Sequence, residues 1–156
     1  MNDNIKSEGF VTLTIDYDNG SQEVIEFKNT VLNNGKFALA NSLSGQFEEP
    51  YNYYITNMLF GTNGTNAGVP KQVLPGQVGL FGPTLLTKSL VATIDPEILS
   101  QIVFTTVVSQ SEGNGNILNE MALRMANGQV YSMATFPDLV KTSSMQLTWN
   151  WRVSFI

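Results

Sequence analysis

Met-Gln-Leu-Thr-Trp-Asn-Trp-Arg-Val-Ser-Phe-Ile, residues 145–156, is the stretch whose reading decides the fold class. Met145, Leu147, Trp149, Trp151, Val153 and Phe155 are apolar, and Gln146, Thr148, Asn150, Arg152 and Ser154 between them are polar. Side chains of a strand alternate between its two faces, so this order lays six large apolar groups on one side and leaves the other wet. On a helix the same residues would scatter both tryptophans and the arginine around the circumference. The segment predicts a long, half-buried β-strand, with each tryptophan able to bury roughly 150–250 Å². Such a strand requires a sheet.

The rest of the chain supplies candidates in order. Val11, Leu13, Ile15 and Tyr17 alternate with Thr12, Thr14 and Asp16, and a second run follows through Val24, Ile25 and Phe27. Between them stands Asp18-Asn19-Gly20, a turn signal. A two-residue Asn-Gly loop would set Leu13 opposite Glu26. A three-residue loop with Gly20 left-handed pairs Leu13 with Ile25 and Val11 with Phe27, which keeps apolar groups on one face and is preferred. Asn33 or Asn34 can cap the one helix, Phe37 to Leu43 has helical spacing with Leu39 and Leu43 on one face, and Gly45 can end it.

Further strands are expected over 53–60, 85–95, 101–110, 117–125 and 129–136. Pro96 joins the 85–95 and 101–110 strands, and the 101–110 segment, apolar or threonine on both faces, reads as a central strand covered on both sides. Asn127-Gly128 signals a two-residue hairpin that pairs Met121 with Ala134, Leu123 with Ser132 and Met125 with Val130. Pro137 is expected to stop its strand. Counted together these give eight strands and one short helix without internal repeat. The expected class is all-β, an antiparallel β-sandwich with a jelly-roll path. Residues 1–8 read as a flexible arm and 9–156 as a single domain.

Residues 61–83 interrupt the pattern. Loops beyond about 12–15 residues are uncommon in compact domains and are usually functional or disordered. This one is crowded with Gly, Pro and Asn yet carries Val69, Val73, Leu74, Val78, Leu80 and Phe81. Either it packs on its own domain, or its apolar groups meet a partner chain.

Composition bounds the chemistry. The 156 residues suit one domain, and 13% charged is about half the usual share. A net charge of −5 argues against binding a phosphate backbone, which needs clustered Lys and Arg. The chain has no Cys and no His, which excludes disulfides, thiolate nucleophiles, Cys/His zinc sites and His-based triads. No apolar run reaches membrane-spanning length, and residues 1–9 lack the apolar core of a signal peptide. The expectation is a soluble protein made in a cytoplasm.

Each polar constellation has a plainer reading beside it. Asp16-Tyr-Asp18-Asn-Gly20 is one residue short of a calcium loop and lacks its closing Glu, so a turn is preferred. Gly61-Thr-Asn-Gly64-Thr-Asn-Ala-Gly68 has the look of a phosphate cradle but lacks the lysine and the following helix, so a flexible loop is preferred. Glu48, Glu49 and Glu120 are the carboxylate candidates for acid–base work, which requires two that converge. The wet face of the last strand (Gln146, Thr148, Asn150, Arg152) and Tyr51, Tyr53 and Tyr54 are candidate sugar platforms, against edge decoration and buried tyrosines. Asn19-Gly-Ser21 and Asn63-Gly-Thr65 match glycosylation sequons that mean little without secretion. Neither a catalytic nor a metal or cofactor site is expected.

The order Asn29-Thr-Val-Leu-Asn-Asn-Gly-Lys-Phe-Ala-Leu-Ala40, Met58-Leu-Phe-Gly-Thr-Asn-Gly-Thr65, Asn119-Glu-Met-Ala-Leu, Tyr131-Ser-Met-Ala-Thr-Phe-Pro and Lys141-Thr before the tryptophan strand resembles small virion structural proteins of tailed bacteriophages. The resemblance covers most of residues 29–156 and carries no catalytic signature. It implies a β-sandwich of the virion, first a capsid decoration (cement) protein bound across major capsid protein subunits, acting as a homo-oligomer. A tail-tip, fibre or neck attachment module, which in one version binds host glycan, is the alternative it implies, ahead of a free carbohydrate-binding protein. The expected contacts are the 61–83 loop, the arm or both, with Val73, Leu74, Leu80 and Phe81 as partner-binding residues. Leu80→Ser with Phe81→Ser is then expected to weaken particle association and leave the fold intact.

Overall fold

A computed structural model describes residues 5–44 and 50–156. Its strands are β1 (Ser7–Tyr17), β2 (Gln22–Lys28), β3 (Thr30–Val31), β4 (Ile55–Gly61), β5 (Thr65–Asn66), β6 (Val69–Pro70), β7 (Leu86–Ser89), β8 (Val91–Ile94), β9 (Gln101–Val108), β10 (Ile117–Met125), β11 (Val130–Val140) and β12 (Met145–Phe155). One helix, α1 (Asn33–Ser44), and a single 3-10 turn at Pro50–Tyr53 complete the described elements. Two five-stranded antiparallel sheets, in the orders β2-β1-β12-β9-β8 and β3-β11-β10-β4-β7, face each other, and β5-β6 form a small ribbon. The all-β sandwich with one short helix holds.

The tryptophan strand β12 lies at the middle of the first sheet, paired with β1 along its whole length and with β9 on its other side. Its wet face is therefore the face of a central strand, and edge decoration does not describe it. The apolar face behaves as its period requires: Trp149 and Trp151 are fully buried, and Leu147 and Val153 lie beside them. Trp149 meets Phe60 from β4 at 5.0 Å and Phe136 from β11 at 5.3 Å between ring centroids. Phe27 from β2 stacks on Phe136 at 5.1 Å. Aromatic contacts across both sheets thus close the core around one side chain, and such pairs add to what area burial supplies.

The first hairpin has the register expected of a three-residue loop. Leu13 pairs with Ile25 and Val11 with Phe27, the Tyr17 N–H donates to the Ser21 carbonyl at 3.0 Å, and Gly20 sits at φ 82°. The second hairpin differs. The Met125 N–H donates to the Gln129 carbonyl at 2.8 Å, so its loop is Ala126-Asn127-Gly128, three residues with Gly128 at φ 86°. Arg124 then pairs with Val130, and a bulge at Tyr131 restores the expected pairs Leu123–Ser132 and Met121–Ala134. The extra residue keeps the apolar faces in register despite the longer turn.

Other boundaries also move. β1 begins at Ser7, whose pairing with Phe155, and that of Glu8 with Ser154, takes two residues from the expected arm. Residues 1–4 lie outside the described residues, as do Gly45, Glu48 and Glu49. Pro137 does not end β11, which runs on to Val140; a register irregularity between the Leu118 and Glu120 pairings places the proline where no ladder donor is needed. The single strand expected over 85–95 is two strands that change sheets at Leu90, β7 pairing with β4 and β8 with β9. β9 has neighbours on both sides, but its outer face is open rather than covered, with Val107 39% exposed. A jelly-roll path sends most successive strands to opposite sheets. Here the antiparallel pairs β1-β2, β4-β7, β8-β9 and β10-β11 each stay within one sheet, so the connectivity departs from that path.

The helix packs on β11 through Gly35, Ala38 and the partly buried Leu39, whereas Leu43 and Phe37 point to solvent, 90% and 60% exposed. A second, smaller apolar cluster lies on the outer face of the second sheet: Leu32, Leu59, Ala122, Val130 and Met133. It is this outer face that the 61–83 segment covers.

Candidate functional site

The outer face of the second sheet carries Glu120 from β10, and Glu120 is fully buried. A buried carboxyl must find donors, because an unmet polar group in a low-dielectric site is costly. Its donors are backbone amides of the long segment: the Asn63 N–H at 3.0 Å on Oε1 and the Phe81 N–H at 2.6 Å on Oε2. Its neighbour Asn119 works alongside, with Oδ1 accepting the Gly64 N–H at 2.7 Å and Nδ2 donating to Thr65 Oγ1 and Asp138 Oδ1, both at 3.0 Å. Thr65 Oγ1 also donates to Asp138 at 2.7 Å. These two hydrogen bonds hold the Asp138 carboxyl below its ordinary range, with Asn119 contributing more than Thr65.

The glycine-rich run that resembled a phosphate cradle is thus occupied from within. Its amides at Asn63 and Gly64 point at the side chains of β10, and no side chain would fit between. A Cβ at position 64 would stand 2.2 Å from the Asn119 carbonyl oxygen, well inside contact distance. The glycine is needed for close approach of two backbones.

Further bonds fix the rest of the segment. The β5-β6 ribbon turns at Ala67 and Gly68, both with positive φ, and the Lys71 N–H returns to the Gly64 carbonyl at 2.8 Å. Lys71 Nζ donates to the Asn63 carbonyl at 2.7 Å and lies 4.9 Å from the centroid of the Phe81 ring. Thr135 Oγ1 on β11 donates to the Lys71 carbonyl at 2.7 Å, and the Asn33 N–H at the start of α1 donates to the Pro75 carbonyl at 2.8 Å. The 61–83 segment is a plate held on the sheet.

The plate divides the partner-binding residues expected from the sequence. Val73, Leu80 and Phe81 pack inward against the second apolar cluster and serve the protein's own fold. Leu74 faces out, 58% exposed, and Val69 and Val78, which the expectation left aside, are more open at 66% and 74%. The exposed large apolar residues of this segment are therefore Val69, Leu74 and Val78. Alternation could not have found it, because facing within an irregular segment is set by what pins it. The paired substitution Leu80→Ser with Phe81→Ser now falls on the packed side and would disturb the plate itself.

The other candidates land elsewhere. Glu120 accepts an amide at each oxygen and is fully buried beneath the plate, out of contact with solvent. Asp16 and Asp18 accept from Gln22 and Gln110 side chains at the first hairpin. Among the described residues no three of Asp and Glu gather into a group able to hold a metal ion. Tyr53 packs against the main core and Tyr54 is 60% exposed. On the wet face of β12, Asn150 Oδ1 accepts the Thr105 hydroxyl of β9 at 2.7 Å. No helix among the described residues is long and apolar enough to cross a membrane.

A buried cation that the sequence reading passed over lies at the opposite end of β11. Lys141 is fully buried and donates through Nζ to Asn114 Oδ1 and the Thr142 carbonyl, both at 2.9 Å. Burial pushes its amine below the ordinary lysine range, which the nearby Glu112 partly opposes. Glu112 is held by Lys88 at 2.6 and 2.9 Å and by the Ser109 N–H at 2.9 Å, and these bonds lower its carboxyl. Lys141 and Glu112 together fix the 109–116 loop.

No protein-family model, no curated protein and no solved structure matches this chain.

Proposed function

We propose that the protein is a non-enzymatic structural component of a tailed-bacteriophage virion, a capsid decoration protein that binds the head shell through the 61–83 plate. The observation that carries the reading is the outward-facing apolar set Val69, Leu74 and Val78 on a segment pinned at Glu120, Asn119, Thr135 and Asn33. A pre-ordered apolar surface binds without the entropy of ordering a loop, and it suits repeated attachment to identical sites on a particle. The pattern of residues 29–156 that resembles such virion proteins, low charge and the absence of Cys and His support the same reading.

The test is the copy number of this chain in purified particles, by quantitative mass spectrometry against the major capsid protein. Copies comparable with the capsid subunits are expected. A handful per particle would move the protein to the neck, tail tip or fibre, and absence from particles would overturn the virion reading altogether. Leu74→Ser with Val78→Ser is expected to remove the protein from particles while its melting temperature stays unchanged.

A further inference from the structure

Among the described residues four strands form the edges of the two sheets, and three are protected. β2 carries Glu23, Glu26 and Lys28. β3 is two residues long and leads straight into α1. β7 carries Lys88, paired with Glu112. β8, Val-Ala-Thr-Ile, has no charged residue and no proline, and all four of its residues are exposed. Val91 is 67% and Ile94 60% exposed, and the loop that follows adds Ile98 at 51% and Leu99 at 78%. Asp95, the next residue, directs its carboxyl to the amides of Glu97 and Ile98. An open, uncharged edge is a template for another strand.

The pattern of free backbone groups follows from the ladder. The Asp95 N–H donates to the Gln101 carbonyl, and antiparallel pairs alternate between bonded and non-bonded. Thr93 and Val91 therefore bond to Val103 and Thr105 of β9, while the amide and carbonyl of Ala92 and Ile94 point to the open side. We propose that β8 is a homodimer interface, on which a second copy of this chain adds its own β8 antiparallel about a two-fold axis through Thr93. That register sets Ala92 opposite Ile94 of the other copy, twice, so that the outward groups of both strands meet. It also keeps each sheet's outer face on one side, which an axis between two residues would not. A two-fold antiparallel edge is complementary to itself and needs no second surface. The four residues of β8 carry no charge, so no like charges face each other across the axis even though each molecule has a net charge of −5. The interface does not depend on the virion reading.

Four apolar side chains and a short ladder from each copy make an interface below the roughly 800 Å² per partner of a standard complex, so dissociation in the micromolar range or weaker is expected. Thr93 meets its own copy across the axis in a non-bonded pair, where side chains are closest. Sedimentation equilibrium across concentration should show wild-type protein at twice 17.1 kDa at the high end. Thr93→Lys alone and Thr93→Glu alone should each weaken the dimer at least about tenfold, because like charges then face each other, and an equimolar mixture should restore it. Ala92→Pro, which removes an outward N–H and leaves the β9 ladder intact, should also weaken it. A wild-type mass of 17.1 kDa up to about 1 mM, a closed trimer, or assembly indifferent to both Thr93 variants would overturn the proposal.

Discussion

Removing the carboxyl of Glu120 tests the reasoning about the plate most directly. Glu120→Ala strips the partners from two amides, those of Asn63 and Phe81, which lie 3.0 and 2.6 Å from its oxygens. A donor left unmet at a buried site costs about 1–3 kcal/mol, so the pair predicts a loss of about 2–6 kcal/mol. At roughly 2–4 °C per kcal/mol, usual for a domain of this size, the melting temperature should fall by about 4–24 °C. Glu120→Gln keeps one acceptor and turns an NH2 toward the other amide, so its loss should be about half as large. Urea denaturation gives the stability, and amide hydrogen exchange gives its location. In the wild type the Phe81 and Asn63 amides should exchange slowly. In Glu120→Ala they should exchange near the free rate while the amides of Trp149 and Trp151 in β12 stay protected, because the plate detaches before the sandwich opens. Unchanged exchange at Phe81 together with an unchanged midpoint would refute the assignment of Glu120 as the pin.

Other outcomes follow from the same contacts. Gly64→Ala should cost about 1–3 kcal/mol, at the upper end because the obstacle is the Asn119 carbonyl rather than a movable side chain, and thermal melts would show it. Trp149→Ala should cost about 3–5 kcal/mol in urea denaturation, since it empties the site where Phe60 and Phe136 meet. The carboxyls of Glu112 and Asp138 are held below their unfolded values, so the folded state binds fewer protons there. Their stabilisation is complete above the unfolded carboxylate range of about pH 4 and is lost as pH falls through the folded values. Denaturation midpoints should accordingly drop below about pH 4, and Glu112→Gln should flatten part of that drop. A Glu112→Gln protein with the wild-type acid profile would contradict the role given to the Lys88 pair.

Period-2 alternation alone determined the class of this protein, the burial face of the tryptophan strand and the register of the first hairpin. These are local properties: facing follows from position along the strand, and a three-residue turn follows from Gly20 and the need to keep Ile25 opposite Leu13. The helix was legible from its spacing, although Leu32 rather than Asn33 or Asn34 stands in the capping position, the Gly45 end lies outside the described residues, and Leu43 faces water rather than the core. What joins distant segments was decided only by tertiary structure. The 85–95 run reads as one strand because nothing in its alternation marks the change of sheet at Leu90. Glu120 reads as one candidate carboxylate among several until it is found beneath amides of residues 63 and 81, and Val73, Leu80 and Phe81 read as partner-binding residues until Leu59, Ala122 and Met133 are found under them. The uncharged edge at β8 is likewise a fact of strand order, since the sequence names the residues of a strand but not which neighbours it lacks. Local patterns set which face of each strand is apolar, and long-range hydrogen bonds and packing set what that face meets.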